Sequence, residues 1–264
     1  MSTFHENLIH LWGKDCFVDS SNCVWIPMEY MNGGSLQDSI RIVRQSKYGK
    51  DTIGNPLGIP EVLSLNELQI GWIISNVCKG LNYLHKLNRI HRDITSSNIL
   101  LSKDARQVKI ADFGFVLQIQ EEEKRRSTCG TYEWMAPEIL NSLPYSYSAD
   151  IWSLGVVLYE CAEAQTPYHG LTEIKILRQM KKGPPKLPKN KWSRDMLNFF
   201  SQCTQLSPKK RSTISQLIAH PWMTSLISDP ELFNSDAFFN ELSVIIHYAK
   251  ADVKRRMAPY SPRK

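Results

Sequence analysis

One polar segment between two apolar runs constrains the fold more than any other part of this chain. Residues 90–101 read Ile-His-Arg-Asp-Ile-Thr-Ser-Ser-Asn-Ile-Leu-Leu. Short aliphatic runs of this kind are typical of buried strands, which would hold Asp93 and Asn98 on a rigid turn between them. The run Val-Lys-Ile-Ala at 108–111 leads into Asp112 in the same way. The sequence therefore predicts that three polar side chains lie at the ends of short buried strands.

Three motifs in a fixed order identify the class of protein that this pattern resembles. The chain contains H-R-D-x-x-x-x-N at 91–98, D-F-G at 112–114 and A-P-E at 136–138. This set, in this order, resembles the protein kinases. The resemblance implies an α+β fold of the protein-kinase type, with a mainly α-helical large lobe and a truncated β small lobe.

The resemblance assigns roles to five residues around the transferred phosphate. Asp93 would accept the proton of the substrate hydroxyl, while Asn98 and Asp112 would hold Mg²⁺. Thr131 would lie beside Asp93, as in serine/threonine kinases. Thr95 stands where these kinases usually carry a lysine, so a cation near the transferring phosphate is missing.

A second group of residues is implied to bind ATP. By resemblance to the kinase hinge, the carbonyl of Glu29 and the N–H of Met31 would contact the adenine edge. Met28 would guard the back of the pocket, Leu100 would form its floor, and Ser35 belongs to the same cofactor-binding set. Met28 and Leu100 are also compatible with a purely structural place in the core.

An activating phosphorylation is implied in the segment before Thr131. Ser127 is the first candidate and Thr128 the second, with Arg92 as the cation that would receive the phosphate. The implied partners are an upstream activating kinase and a protein substrate. The alternative is a plain solvated loop, since residues 121–126 are all charged.

The motifs resemble two different branches of the kinase family. Residues 29–36 and 183–188 resemble the MAP-kinase-kinase and sterile-20-like kinases, whereas Thr-Ser-Ser at 95–97 resembles the tyrosine-kinase-like branch. The predicted function is transfer of the ATP γ-phosphate to serine or threonine of proteins.

The counterpart of the phosphate-holding part of the small lobe is missing. No glycine-rich G-x-G-x-x-G loop and no strand lysine precede the hinge. We expect a small-lobe remnant at 1–30, a large lobe at 31–223 with an insert at 47–63, and a C-terminal helix with a basic tail at 224–264. The chain is then either an incomplete kinase domain with little activity by itself or an inactive, pseudokinase-like scaffold. The complete motif set favours the first.

Composition excludes several other classes of protein. Hydrophobic residues make up 42% and charged residues 22%, as in ordinary globular proteins, and no apolar run is long enough for a membrane span. Residues 250–264 hold six basic residues and one acidic residue, so most of the net charge of +6 lies there and no nucleic-acid surface is indicated. The six cysteines form no C-x-x-C pair and indicate reduced core thiols in a cytoplasmic or nuclear protein.

Local patterns predict several individual elements. The apolar runs at 8–12 and 23–26, separated by a polar turn at 19–22, predict a two-stranded hairpin that leaves Leu8, Leu11, Trp25 and Ile26 partly exposed. Capping boxes are predicted for the pairs Ser64 with Glu67 and Thr213 with Gln216.

The remaining predictions concern the core of the large lobe and the tail. The almost uniformly apolar segment 148–164 predicts a buried helix. By resemblance, its Asp150 would accept backbone N–H groups of the catalytic loop, and Glu138 would pair with Arg211. Apolar residues on one face of the tail, among them Phe238 and Leu242, predict a helix that docks on the body.

Overall fold

The computed structural model describes residues 4–12, 16–49, 57–60, 63–118, 130–183, 186–227 and 236–257. The described strands are β1 (Phe17–Val18), β2 (Val24–Trp25), β3 (Gly34–Ser35), β4 (Arg89–Ile90), β5 (Ile99–Leu101), β6 (Val108–Ile110) and β7 (Leu117–Gln118). The described helices are α1 (Leu36–Tyr48), α2 (Glu67–Lys86), α3 (Pro137–Leu140), α4 (Ser148–Glu163), α5 (Glu173–Met180), α6 (Arg194–Cys203), α7 (Ile214–Ile218), α8 (Pro221–Ile227) and α9 (Asp236–Met257).

The described strands form small antiparallel sheets around a helical body. One sheet has the order β3-β5-β6, with Ser35 opposite Leu100 and Leu100 opposite Lys109. The pairs β1-β2 and β4-β7 form two further sheets. The short strands β5 and β6 lie where the aliphatic runs predict them, and they carry the polar residues of the candidate site at their ends.

The N-terminal hairpin has the predicted turn, and two segments pair on its first side. Phe17 pairs with Trp25 and Val18 with Val24, while Leu11 of the predicted first strand at 8–12 forms an antiparallel bridge with Met28, just beyond β2. Asp19 closes the turn because one carboxylate oxygen accepts the amides of Ser21 and Cys23. The sequence does not specify this register, because a run of alternating apolar residues does not reveal which residues it pairs with.

Leu8 is buried, which contradicts its predicted exposure. Its side chain is 1% exposed because it forms a parallel bridge with Ile110 at the end of β6. The neighbouring Ile9 donates its amide to the carbonyl of Ile110 over 2.9 Å. Leu11, Trp25 and Ile26 are 38%, 54% and 49% exposed, which confirms the rest of the predicted apolar surface.

The predicted insert at 47–63 begins later than expected. Lys47 and Tyr48 still belong to α1, and the helix is capped at Gly49. Residues 50–56 and 61–62 lie outside the described part of the chain. Of the rest, Ile59 packs with Ile42 of α1 and Ala249 of α9 in a small apolar cluster. The described part of the insert therefore packs between two helices.

Helix α2 starts at a different capping box from the predicted one. Asn66 is the N-cap, and its side chain and that of Gln69 exchange hydrogen bonds with each other's backbone amides. Ser64 lies two residues too early to cap a helix that starts at Glu67. The carboxylate of Glu67 instead accepts hydrogen bonds from Ser193 and from the indole of Trp222. This carboxylate ties the start of α2 to α6 and α8.

Helix α4 forms the centre of the core, as its uniformly apolar sequence predicts. Its residues from Ala149 to Ala162 are almost completely buried. At Gly155, an added Cβ would lie 2.7 Å from Thr204 Cγ2 and 2.8 Å from Cys203 Cβ. The absence of a side chain at Gly155 therefore lets α4 and α6 approach each other closely.

Two further predictions about the large lobe are confirmed. Thr213 and Gln216 form the capping box of α7. Arg211 donates to both carboxylate oxygens of Glu138, over 2.5 and 2.7 Å, and both side chains are buried. This ion pair joins the A-P-E segment to the chain just before α7.

Helix α9 is docked on the body, as predicted for the tail. Its apolar face is buried, with Leu242 at 0% and Ala249 at 1% exposure. It packs along α1, where Arg256 donates to Asp38 over 3.0 Å. Arg256 also donates to Asp252, a carboxylate that is itself 1% exposed.

The structure partly corrects the prediction for the cysteines. Cys78, Cys161 and Cys203 are buried thiols, and burial raises the pKa of Cys78 to about 12. Cys16 and Cys23 are exposed, so they are not core thiols, and Cys129 lies outside the described residues. Within the described ranges, no helix combines the length and apolar character needed to cross a membrane.

Candidate active site

Asp150 at the start of α4 organises the backbone around His91 and Arg92. Its carboxylate accepts the amide of His91 over 2.9 Å and the amide of Arg92 over 2.8 Å. His85 of α2 lies 2.9 Å from the same carboxylate. Burial alone would raise the pKa of Asp150, but the hydrogen bond and charge of His85 lower it overall. The ionised carboxylate holds Arg92 at a φ of 72°, a conformation that side chains other than glycine adopt rarely.

His91 is a structural residue in its neutral form. Burial lowers its pKa, and its side chain is completely enclosed. Its Nδ1 accepts the amide of Asp93 over 3.3 Å, so Nε2 carries the hydrogen and donates to the carbonyl of Ala111 over 3.2 Å. The ring therefore fixes the distance between the catalytic-loop segment and the end of β6.

Asp93, Asn98 and Thr131 meet through direct hydrogen bonds, of which the sequence predicts only the proximity of Thr131 to Asp93. The Nδ2 group of Asn98 donates to the Asp93 carbonyl over 2.9 Å and to its Oδ2 over 2.8 Å. The amide and hydroxyl of Thr131 donate to Oδ1 of Asp93 over 3.0 and 3.1 Å. The carboxylate of Asp93 is thereby fixed in one orientation.

Asp112 is joined to this group through the backbone. The amide of Ala111, the preceding residue, donates to the carbonyl of Asn98 over 2.8 Å. Asp112 has a φ of 61°, and its Oδ1 accepts the amide of Gly114 over 3.1 Å. These constraints place Asp112 next to Asn98 at the ends of β5 and β6.

The donor chemistry of Asn98 and Asp112 fits Mg²⁺. Because Nδ2 of Asn98 binds Asp93, the amide oxygen Oδ1 is the atom left for a cation. Asp112 adds an exposed carboxylate, and such oxygen ligands suit Mg²⁺, which usually keeps one or two protein carboxylates and several waters. Among the described residues, no group of three or more His, Cys, Asp or Glu side chains forms a closed metal cage.

Thr95 is buried within the catalytic-loop segment. It is 1% exposed, and its hydroxyl lies 2.7 Å from the hydroxyl of Ser97. The next residue, Ser96, donates to Glu160 Oε1 over 2.8 Å, and Trp134 donates its indole N–H to Oε2 over 3.2 Å. Thr95 is therefore held within the loop by its neighbours.

Glu160 was missed by the sequence analysis. It bridges the catalytic loop and the segment after Thr131, and burial raises its pKa to about 7. Its sequence signal is its position as an isolated carboxylate within the apolar helix α4. Because such a group must be paired when it is buried, the position itself indicated a structural link.

The residues expected to hold adenine lie partly together. Met31 is buried and packs with Ile9 and Ala111, and Leu100 packs against the same cluster. Met28 is 52% exposed, although it pairs with Leu11 in an isolated bridge. The apolar floor is thus present, while the side chain of Met28 is largely exposed.

Glu29 and Ser35 are both engaged by neighbours through their side chains. Lys109 Nζ lies 2.7 Å from Glu29 Oε1, an ion pair that the sequence analysis missed. Burial would raise the pKa of Glu29, but the hydrogen bond from Lys109 lowers it overall. Ser35 caps α1, where its hydroxyl accepts the amide of Asp38 and donates to the carboxylate of that residue.

Arg92, the residue expected to receive the activating phosphate, contacts the chain just after the D-F-G motif. Its guanidinium donates to the carbonyl of Phe115 and to the hydroxyl of Tyr145. Ser127 and Thr128, the two predicted phosphorylation sites, lie outside the described residues.

Comparison with known proteins gives one family. The protein kinase domain family matches residues 1–223. The serine/threonine-protein kinase pakC of Dictyostelium discoideum is 35% identical over 225 residues, which cover 84% of this chain and 43% of pakC. The serine/threonine-protein kinase sid1 of Schizosaccharomyces pombe is 37% identical over 222 residues, covering 83% of this chain and 42% of sid1.

A third relative gives the same result. The serine/threonine-protein kinase SKM1 of Saccharomyces cerevisiae is 35% identical over 231 residues, covering 86% of this chain and 33% of SKM1. The chain thus spans less than half the length of each of these relatives. The family match covers most of the chain, including the residues around Asp93, and the chain belongs to the protein kinase family, with serine/threonine kinases as its relatives.

Proposed function

We propose that the protein transfers the γ-phosphate of ATP to serine or threonine hydroxyls of other proteins. The observation that carries this proposal is the fixed carboxylate of Asp93, with Thr131 on one oxygen and Asn98 on the other. Phosphoryl transfer depends mainly on positioning and charge stabilisation, which such a rigid arrangement supplies.

In the proposed reaction, Asp93 orients the substrate hydroxyl and accepts its proton as the new oxygen–phosphorus bond forms. Asn98 and Asp112 would hold Mg²⁺, which neutralises charge on the phosphates when it is bound. Thr131 bonds the same oxygen atom of Asp93 with its amide and hydroxyl and keeps this acceptor in place. ADP is the other product of the transfer.

The ATP base would lie on the apolar cluster of Ile9, Met31 and Ala111, with Leu100 as part of the floor. We further propose that an upstream kinase activates the protein by phosphorylating Ser127 or Thr128. Arg92 would receive that phosphate, since it already contacts the segment that follows Asp112. Protein substrates agree with the names of the relatives, which are protein kinases.

The test measures transfer from radiolabelled ATP to a mixture of generic protein substrates. The 264-residue chain is compared with a second form in which a glycine-rich small-lobe segment from an active serine/threonine kinase precedes it. We expect Mg²⁺-dependent label on serine and threonine, weak for the first form and strong for the second. Both signals should disappear in Asp93→Asn and Asp112→Asn.

The matched control is Asp236→Asn, because the side chain of Asp236 is 84% exposed at the start of α9. This variant should retain the label. If neither form transfers phosphate while both bind ATP, the scaffold interpretation replaces the proposal. If label survives in Asp93→Asn, the assigned role of Asp93 is wrong.

A further inference from the structure

A groove on the large lobe lies apart from the candidate active site. It runs between the segment that follows α5 and one face of α6, and its volume is about 590 Å³. Cavities that bind ligands typically enclose about 300–1,000 Å³. Its floor is formed by Leu187, Leu197 and Phe200, and Leu206 extends the apolar surface towards solvent.

Part of this floor is accessible. Leu206 is 41% exposed, whereas Leu187 and Phe200 are buried beneath it at 3% and 5% exposure. Leu197 and Phe200 are three residues apart on α6, so they face the groove on the same side of the helix. An apolar side chain that binds here would displace water from Leu206 and pack on the buried floor formed by Leu187 and Phe200.

Positive charge surrounds this apolar floor. Lys182, Lys186, Lys189 and Lys210 line the groove, and none of the lining residues that the structure describes is acidic. Among the described residues, none of these four lysines forms an ion pair with a carboxylate. Because charges of one sign next to a low-dielectric surface reinforce each other's potential, the groove favours anionic ligands.

The combination restricts the chemistry of the ligand. A single-stranded nucleic acid would supply phosphates, but sites for it typically stack its bases on exposed aromatic rings, and the only aromatic lining residue that the structure describes is the buried Phe200. An apolar anchor flanked by carboxylates matches both the floor and the rim. Such a pattern is simplest to provide on an extended peptide.

We propose that this groove binds an acidic segment of a partner protein, with a bulky apolar side chain on Leu187, Leu197 and Leu206 and its flanking carboxylates opposite the lysines. The inference does not depend on the proposed phosphoryl transfer, because none of the lining residues belongs to the site around Asp93. It therefore describes a separate docking surface of the large lobe.

The test uses a short fluorescein-labelled peptide with a leucine–phenylalanine pair flanked by glutamates. Fluorescence anisotropy with the full chain should show saturable binding that weakens as salt is added, since exposed charges are screened. Replacing the apolar pair by serines, or the glutamates by glutamines, should each weaken binding by about tenfold or more. If removing the apolar pair alone weakens binding, the peptide is held by a shaped site and not only by general charge attraction.

Two pairs of protein variants locate the binding site. Lys186→Glu with Lys210→Glu should weaken binding by about tenfold or more, whereas Lys79→Glu with Lys175→Glu, exposed lysines outside the groove, should not. Leu206→Ser should also weaken binding, and Leu171→Ser, 37% exposed and outside the groove, should not. Circular dichroism checks that each variant is folded. We expect all of them to fold, because the replaced side chains are exposed.

Three outcomes would overturn the proposal. The first is absence of saturable peptide binding, and the second is equal loss of binding in the groove variants and their controls. The third is that the protein binds phosphatidylserine vesicles or an oligonucleotide instead of the peptide, and that this binding depends on the groove lysines. That last result would assign the groove to a lipid surface or a nucleic acid.

Discussion

The carboxylate of Asp150 accepts the backbone hydrogen bond of Arg92 and holds that residue in a left-handed conformation. The same carboxylate binds the amide of His91 and the ring of His85. We expect Asp150→Ala to cost roughly 3–5 kcal/mol of unfolding free energy, because buried donors lose their partner. Urea denaturation measures this loss, and Asp195→Ala, an exposed acid in the first turn of α6, is the control.

The pH dependence of the Asp150 contribution has a defined sign. Its pKa is lowered in the folded state, so its stabilising effect is present above the ordinary carboxylate pKa and is lost as the pH falls. The difference in stability between the protein and Asp150→Ala should therefore shrink in acid. A difference that is constant down to strongly acidic pH would contradict the assignment of an ionised carboxylate.

Gly130 controls the space beside Asp93. An added Cβ at Gly130 would lie 2.7 Å from the Arg92 carbonyl oxygen and 3.2 Å from Asp93 Oδ1, and its φ is 105°. We expect Gly130→Ala to reduce phosphoryl transfer by about a hundredfold, because it shifts the Asp93 carboxylate. Steady-state kinetics of the form that carries an added small-lobe segment measures this effect.

Gly170 supplies the matched control for that substitution. Its φ is 75°, but an added Cβ would meet no atom within 4 Å. Gly170→Ala should lose about 1–2 kcal/mol of stability through backbone strain, with little change in turnover. Equal loss of turnover in both variants would show that strain alone explains the effect.

Glu160 should make stability fall as the pH rises towards neutral. Burial raises its pKa from 4.5 to about 7, so the folded state binds a proton that the unfolded state releases in this window. The contribution is complete below about pH 4.5 and is lost through about pH 7, a difference of roughly 3 kcal/mol. Unfolding free energies between pH 4.5 and 8, compared for the protein and Glu160→Gln, measure it.

Glutamine keeps a neutral side chain at this position at every pH, so Glu160→Gln should flatten the profile over this window. Glu173→Gln, a substitution at an exposed position in the first turn of α5, serves as the control and should leave the profile as it is. An unchanged slope in Glu160→Gln would mean that another group titrates there.

The rings of Phe17 and Trp25 should drive self-association. They stack with their centroids 6.1 Å apart and are 56% and 54% exposed on an isolated two-stranded hairpin. Replacing both by threonine keeps the strand propensity but removes apolar surface, so we expect self-association of the 264-residue chain to weaken about tenfold or more. Sedimentation at several concentrations measures this, with exposed Leu171 and Ile174 replaced by threonine as the control.

Much of the candidate site could be predicted from the sequence because it is local. Asp93 and Asn98 are five residues apart on one loop, and their hydrogen bonds follow from that spacing and from the family resemblance. The partnership of Asp150 with the same loop could be predicted only through the resemblance, since nothing in the sequence around Asp150 specifies which amides it binds. The contact of Arg211 with Glu138 was predictable for the same reason.

Other features depend on contacts that no local pattern encodes. Leu8 is buried because its segment lies beside β6, a strand that is distant in the chain. Asn66 and Ser64 are both suitable N-caps, and Gln69 and Glu67 both suit the position three residues later, so the sequence permits two starts for α2. The ion pair of Glu29 with Lys109 forms only once the hinge and β6 are adjacent.

The docking of α9 determines where a shortened form of this protein can end. The family match ends at residue 223. Beyond it, Arg256 of α9 donates hydrogen bonds to Asp252 of the same helix and to Asp38 in the first turn of α1. An expression boundary chosen from the family match would strip α9 from α1 and leave the apolar side chains of Ile42 and Ile59 without the cover of Ala249. A fragment that retains these contacts therefore extends beyond the family match, at least to the last turn of α9.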